Sequence, residues 1–322
     1  MLKEIKMNEI ENVKIGHAQD PEGATGCTVI LCEKGAPTGV DVRGGGPASR
    51  ESALLNPTAA NDGVHAVVLS GGSAFGLDAA GGVMRYLAER HIGFPVGDLV
   101  VPIVCQSCIF DLQLQANVHP DQEMAYEACR NAEKNCPAQG NVGAGTGATV
   151  GKLLGGAGMM KSGLGIYAVS LGELKMGAVV SVNALGDIYD FQTNEKLAGL
   201  LDPGTGTFLD SEEMMYQMQE ELSMQPHANT TIGAVITNGR FTKTQLTKIA
   251  SMAHNGYARS IRPVHTTADG DTIYAMSVGD VEADLNVAGT LAARVIAEAV
   301  KQAVLAAEPA YGLKTAREMK QR

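Results

Sequence analysis

The order in which strand-like and helix-like patterns follow one another limits the fold of this chain more than any other feature. Short apolar runs come first: TGCTVILCE (25–33), GVDVRGGG (39–46) and HAVVLSGG (65–72) all read as strands, the last closed by glycines. Helical spacing follows over 74–90, with Leu77, Ala80, Met84 and Leu87 on one face, and a second helix is expected over 121–134. Residues 163–191 read as strands joined by short turns. After them come a strand (230–238), a helix (242–261), a strand (271–279) and a long apolar-striped helix (282–308). A doubly wound parallel sheet needs strict alternation of strand and helix. This order lacks it, so layers of the α+β class are expected.

Composition adds two limits. Glycine supplies 39 of 322 residues, nearly twice the usual ~7%, without the every-third-residue period of collagen. The glycines cluster at turns, where backbones must approach closely. The net charge of −10 comes without a basic run, which argues against a nucleic-acid partner. The first residues, MLKEIKMNEIENVKIG, lack the apolar centre of a signal peptide, and no apolar run approaches the ~20 residues of a membrane-spanning helix. A soluble, cytoplasmic chain without a membrane partner is expected. Its six cysteines then read as reduced thiols, and Cys105-Gln-Ser-Cys108 as packing residues on a buried strand, since no second such pair completes a zinc site.

Three motifs fail on inspection. Gly143-Ala-Gly145-Thr-Gly147-Ala148 resembles a dinucleotide fingerprint, but the acidic residue required about 20 positions on is missing. Gly151-Lys152 ends like a phosphate loop, yet Thr146 and Leu153 stand where that loop needs a glycine and a hydroxyl. Gly71-Gly72-Ser73-Ala74-Phe75-Gly76 suits a nucleophile elbow by position, but Phe75 replaces its last glycine, so a tight turn with a serine N-cap is the simpler reading. The seven histidines show no metal-binding spacing, and no metal site or cofactor is expected.

One junction carries chemistry. Residues 202–229 are polar, acidic and rich in methionine, and read as a surface helix and loop with Met214, Met215 and Met218 on one side. They end at Asn229, where Thr230-Thr231-Ile232-Gly233 opens an apolar strand. A hydroxyl residue at such a point can be an N-terminal nucleophile: cleavage before it frees an α-amine, of pKa ~7.7–8.0, to serve as the base for its own hydroxyl. Threonine is also common at strand starts, so the junction alone leaves both readings open.

The blocks LSGGSAFGLDAAGGVMRYLAER, GNVGAGTGATVGKLLG and NTTIGAVITN, followed by RPVHTTADGDTIYA, resemble the DmpA-like family of self-cleaving hydrolases. That family includes L-aminopeptidase/D-esterases, β-aminopeptidases and the 6-aminohexanoate-oligomer hydrolase. The resemblance runs from about Gly16 to about Leu305. It implies an αββα sandwich of the N-terminal-nucleophile type and a single domain, 1–322, cut between Asn229 and Thr230 into pieces 1–229 and 230–322. The pieces are expected to stay together and to assemble into a homo-oligomer of cleaved heterodimers. The resemblance also makes Thr230 the nucleophile and matches Lys152, Asn183, Asp269 and Asp271 to active-site residues of the nylon-oligomer branch.

Each match has a physical reason. Asp269-Gly270-Asp271 sets two carboxylates around a glycine, able to hold the new ammonium of Thr230. Asn183 offers an amide donor to an oxyanion, and Lys152 adds positive charge nearby. Two departures count against a strict aminopeptidase. The aminopeptidase members have a serine nucleophile, and a serine and a glutamate in place of Asp269 and Asp271. The tyrosine that some members place near the oxyanion has no counterpart in Cys105–Phe110. The expected activity is hydrolysis of amide bonds in small peptides or amino-acid oligomers. The rivals are an esterase using Ser73 and a non-catalytic nucleotide or ligand binder built on Gly143–Gly151.

Overall fold

The structure is a computed structural model and describes residues 1–114, 118–220 and 229–320. Ten strands form its centre: β1 (Leu2–Ile5), β2 (Lys14–Asp20), β3 (Thr25–Val42), β4 (Ala48–Arg50), β5 (Gly63–Ser70), β6 (Val104–Cys108), β7 (Leu164–Leu171), β8 (Leu174–Asn183), β9 (Thr230–Gly239) and β10 (Thr272–Val281). Helices α1 (Ala79–Ala88), α2 (Gln122–Ala132), α3 (Ser211–Glu220), α4 (Lys243–Ser260) and α5 (Leu285–Leu305) cover them. One sheet runs β1-β7-β8-β9-β10-β3 and the other β2-β3-β5-β6-β4.

Strand β3 belongs to both sheets. Its first part pairs with β2 and β5, and Thr38–Val42 pairs with β10. The sequence reads as two separate runs here, TGCTVILCE (25–33) and GVDVRGGG (39–46). In the structure the pairing with β5 shifts register between Leu31 and Ala36, and Gly35 sits at φ 77°, so the chain bends and continues. Among the described residues only β5/β6 and β9/β10 are parallel strand pairs, each needing a helical crossover. That is why strict alternation is absent from the sequence.

Alternating side chains define three apolar layers. On β8, Ala178, Val180 and Val182 face α4 and α5, while Val179 faces the other sheet. On β9, Ile232, Ala234 and Ile236 meet Ile30, Val67 and Leu69 between the sheets. Val29, Leu31, Ala66 and Val68 face α1 and α2. A sheet buried on both faces reads as a continuous apolar run, and the result is the expected αββα sandwich. Helix α1 starts later than its spacing predicts: Ser73–Asp78 form a 3₁₀ turn opened by Gly72 at φ 82°, and among the described residues the Ser73 side chain caps neither this turn nor α1. The amphipathic helix expected within 202–229 is α3, whose Met214, Met215 and Met218 pack on Leu153, Leu185 and Leu200. The loop expected beyond it, 221–228, lies outside the described residues. Among the described residues no helix is long and apolar enough to cross a membrane.

Strands β9 and β10 lie in the middle of their sheet, paired outward to β8 on one side and β3 on the other. Residues 230–320 are therefore held on both sides by residues that precede Asn229.

Candidate active site

The end of β8 and the starts of β9 and β10 lie side by side. Asn183 is the register partner of Thr230, and Thr272 that of Ile232. Just before the strands begin, Asn229 bridges to Asp269. Its N–H donates to the Ala268 carbonyl at 2.9 Å, and its own carbonyl accepts from Gly270 N at 3.0 Å. That same Asn229 carbonyl also receives the Thr230 hydroxyl. The peptide group before Thr230 is thus polarised by a backbone donor and touched by the hydroxyl that follows it. Position 270 has to be glycine, because a Cβ there would lie 2.9 Å from Thr230 Oγ1.

Asp271 is buried, and both of its oxygens are used. Oδ1 accepts from Thr231 N at 2.7 Å, and Oδ2 accepts from the backbone N–H of His265 at 3.1 Å and lies 2.8 Å from His265 Nδ1. Asp269 Oδ2 accepts from the amide and hydroxyl of Thr266 at 2.8 and 2.6 Å. Burial raises the Asp269 pKa to about 6. The Asp271 charge adds to that rise, while the Thr266 bonds and Lys152 oppose it.

Lys152 is 2% exposed, and its Nζ donates to the Asn183 carbonyl at 2.9 Å. Burial lowers its pKa to about 7 against the attraction of Asp269, Asp111 and Asp271. Lys152 and Asp269 attract each other, yet both shift toward their neutral forms, so desolvation outweighs their pairing. The Asn183 side chain is fixed at both ends: Oδ1 accepts from Thr149 N at 3.1 Å and Nδ2 donates to the Phe110 carbonyl at 2.9 Å. One Nδ2 hydrogen can satisfy Phe110, which leaves the second for another acceptor.

The structure brings Thr230, Asn183 and Lys152 to one strand end, with Asp269 and Asp271 beside the same junction. It also adds residues to which sequence reading gives no role. Asp111 accepts from Gly72 N at 2.7 Å and from Thr25 Oγ1 at 2.8 Å, tying the Gly71-Gly72 turn to the start of β3; burial raises its pKa to about 6. Lys161 donates to the Gly145 and Ala148 carbonyls at 3.0 and 3.1 Å and to that of Ser162. His265 touches Asp271. Its only sequence signal is its place six residues before that aspartate. Among the described residues no group of three or more His, Cys, Asp or Glu side chains could hold a metal ion.

Peptidase family S58 matches the chain over residues 6–318. The chain belongs to this family. An uncharacterized aminopeptidase of Mycobacterium leprae is 37% identical over 96% of this S58 chain and 92% of its own length. A 6-aminohexanoate-oligomer endohydrolase of an Agromyces species is 32% identical over 87% of the chain and 77% of its own. The solved L-aminopeptidase D-Ala-esterase/amidase of Ochrobactrum anthropi, a variant of the Ntn hydrolase fold, superposes with a TM-score of 0.67 at 18% identity. That superposition covers 93% of this chain and 85% of that one. The S58 protein is therefore a hydrolase of peptide or amide bonds with the N-terminal-nucleophile hydrolase fold.

The rival sites look different at atomic scale. Among the described residues no hydrogen bond joins Ser73 to a histidine, so an esterase dyad is not formed there. The glycines of the 143–151 loop face protein. A Cβ on Gly145 would lie 2.1 Å from Leu164 N, and one on Gly147 2.1 Å from the Ala24 carbonyl, so these glycines serve close packing rather than a phosphate cradle. Cys105 and Cys108 are buried on β6 as free thiols, and burial pushes both pKa values up to about 12.

Proposed function

We propose that this S58 protein cuts its own chain between Asn229 and Thr230 and then hydrolyses amide bonds of small peptides or amino-acid oligomers with Thr230 as nucleophile. The observation that carries this reading is the doubly engaged Asn229 carbonyl, which accepts both Gly270 N–H and the Thr230 hydroxyl. In self-cleavage Thr230 Oγ attacks that carbonyl carbon and the Asn229–Thr230 amide bond breaks. The hydroxyl proton ends on the released amine, and Asn229 is left as an ester on Thr230. Water then splits the ester, giving the Asn229 carboxylate and a free hydroxyl beside a free α-amine.

In turnover the α-amine takes the proton as Oγ attacks a substrate carbonyl and passes it to the leaving amine. The acyl group rests on Thr230 until water removes it. The second Nδ2 hydrogen of Asn183 and the remaining N–H groups of Lys152 can hold the developing oxyanion. Asp269 and Asp271 hold the Thr230 ammonium.

Intact mass spectrometry tests the first step. Purified protein should contain the chains 1–229 and 230–322 in place of one 33.6 kDa chain. Because β9 and β10 pair with β8 and β3, the two pieces should co-elute in native chromatography and separate only in denaturant. An intact chain in active preparations contradicts the reading.

The acidic pair makes a separate prediction. Asp271→Asn removes a negative charge beside the amine, which lowers the amine's pKa. The acidic limb of the kcat/KM profile should therefore move to lower pH. The maximal rate should fall about tenfold or more, because the bonds to Thr231 N and His265 are re-sorted. A profile identical to wild type in the processed variant removes Asp271 from the mechanism.

A further inference from the structure

Asp271 is held by groups from two directions, and one of them belongs to a buried cluster that the reaction as described does not use. His265 lies in the loop before β10 at φ 59°. Its Nδ1 is 2.8 Å from Asp271 Oδ2, an oxygen that already accepts the His265 backbone N–H. An ionised carboxylate offers only lone pairs, so Nδ1 carries the proton and donates. The other Asp271 oxygen is thereby left on the amide of Thr231, the residue after the nucleophile.

The ring of His265 is itself held. It packs edge-on against the His254 ring at 4.8 Å between centroids and 72° between planes, and Tyr257 closes another side at 6.2 Å. His254 is fully buried on α4 and its Nε2 is 3.0 Å from the Asp41 carbonyl on β3. Burial lowers the His254 pKa to about 4, so it is neutral at physiological pH and spends its one N–H on Asp41. His265 is therefore wedged against an uncharged ring that is tied to the sheet.

We propose that His265 is a positioning residue for this site: its Nδ1–H fixes the rotation of the Asp271 carboxylate, and through Thr231 it fixes the start of β9 that carries Thr230. The inference rests on the reading that Thr230 is the nucleophile.

Substitutions separate this role from packing, with the chain as its own substrate. The readout is the time course of self-cleavage of newly made chain in cell-free synthesis, followed on a denaturing gel. His265→Phe keeps a ring against His254 and loses the donor. It should slow cleavage about tenfold to a hundredfold, as expected for a lost hydrogen bond to a charged group. His265→Asn loses the ring but places an amide donor where Nδ1 stood, and it should restore the rate to within about threefold. A role in packing alone predicts the reverse order, with Phe near wild type and Asn slow.

If the Phe variant fails to fold, His265→Gln takes its place. Its donor reaches the position of Nε2 rather than Nδ1, so Gln should stay slow while Asn is fast. A Phe variant that cleaves like wild type, or an Asn variant no faster than Gln, overturns the proposal. Thr230→Ala runs alongside. If it too is cut at Asn229, the nucleophile reading itself is wrong. If it stays whole while His265→Phe cleaves normally, only the role given to His265 falls.

Discussion

Thr230→Ala should remain one chain of 322 residues and lose about 10⁴–10⁶-fold in amide hydrolysis. Both effects have one origin. The hydroxyl lies on the carbonyl of Asn229, so its loss removes the only side-chain oxygen that, among the described residues, is hydrogen-bonded to that carbonyl. The polarising bond from Gly270 N at 3.0 Å survives the change, so the variant isolates nucleophilic attack from oxyanion stabilisation. Thr230→Ser keeps the oxygen and should still be cut, at a rate set by how well a hydroxyl without the γ-methyl stays in place. Intact mass spectrometry reads cleavage, and release of amine from a 6-aminohexanoate oligomer reads turnover. A Thr230→Ala chain cut at Asn229 would show that the bond breaks without its neighbouring hydroxyl. Ser73→Ala should leave both readouts unchanged, since Ser73 lies in a 3₁₀ turn and among the described residues no histidine is bonded to it.

The layers of this fold are legible where burial leaves a pattern. Runs such as VVLS and TTIGAVITN announce strands covered on both faces, and the stripe of α5 announces an outer helix. The edge strands β1 and β2 carry Lys3, Glu4, Lys14 and Asp20 and hide among charges, because an edge needs only one apolar face. The candidate site is legible to a similar degree. Thr230, Asp269 and Asp271 stand in blocks whose resemblance to a family extends over nearly the whole chain. Asp111 and Lys161 leave no local signal, and His265 leaves only its place six residues before Asp271. Asp111 reaches Thr25, 86 positions away, while the short-range contacts of Lys161 and of His265 depend on how their loops fold. Single-residue chemistry of that kind appears only once the strands are assembled. The side chain of Asn183 teaches the same point: its type could be read from sequence, but its anchoring by Thr149 and Phe110 could not.

Lys152→Met should produce a protein that is less active and more stable, and the two effects should depend on pH in linked ways. The folded pKa of Lys152 is lowered to about 7 by burial, against about 10.4 for an unfolded lysine. Between these values the unfolded chain holds one proton more, so wild-type stability rises with pH across the window. Below it, the full cost of burying an ammonium applies. Methionine carries no charge and fits the same slot. The variant should therefore gain a few kcal/mol near pH 6, and the gain should shrink toward zero near pH 10. Activity runs the other way. The ammonium form is the one that stabilises an oxyanion, so wild-type kcat/KM should decline as pH rises through about 7. Lys152→Met should lack that limb and run about 10²–10³-fold slower at neutral pH. Thermal melts and rate profiles from about pH 5 to 10 on the same preparations measure both. A variant that melts below wild type at about pH 6 would mean that Lys152 is held by its attraction to Asp269, Asp111 and Asp271 more strongly than burial opposes it. A variant that keeps the wild-type rate would place the oxyanion on Asn183 alone.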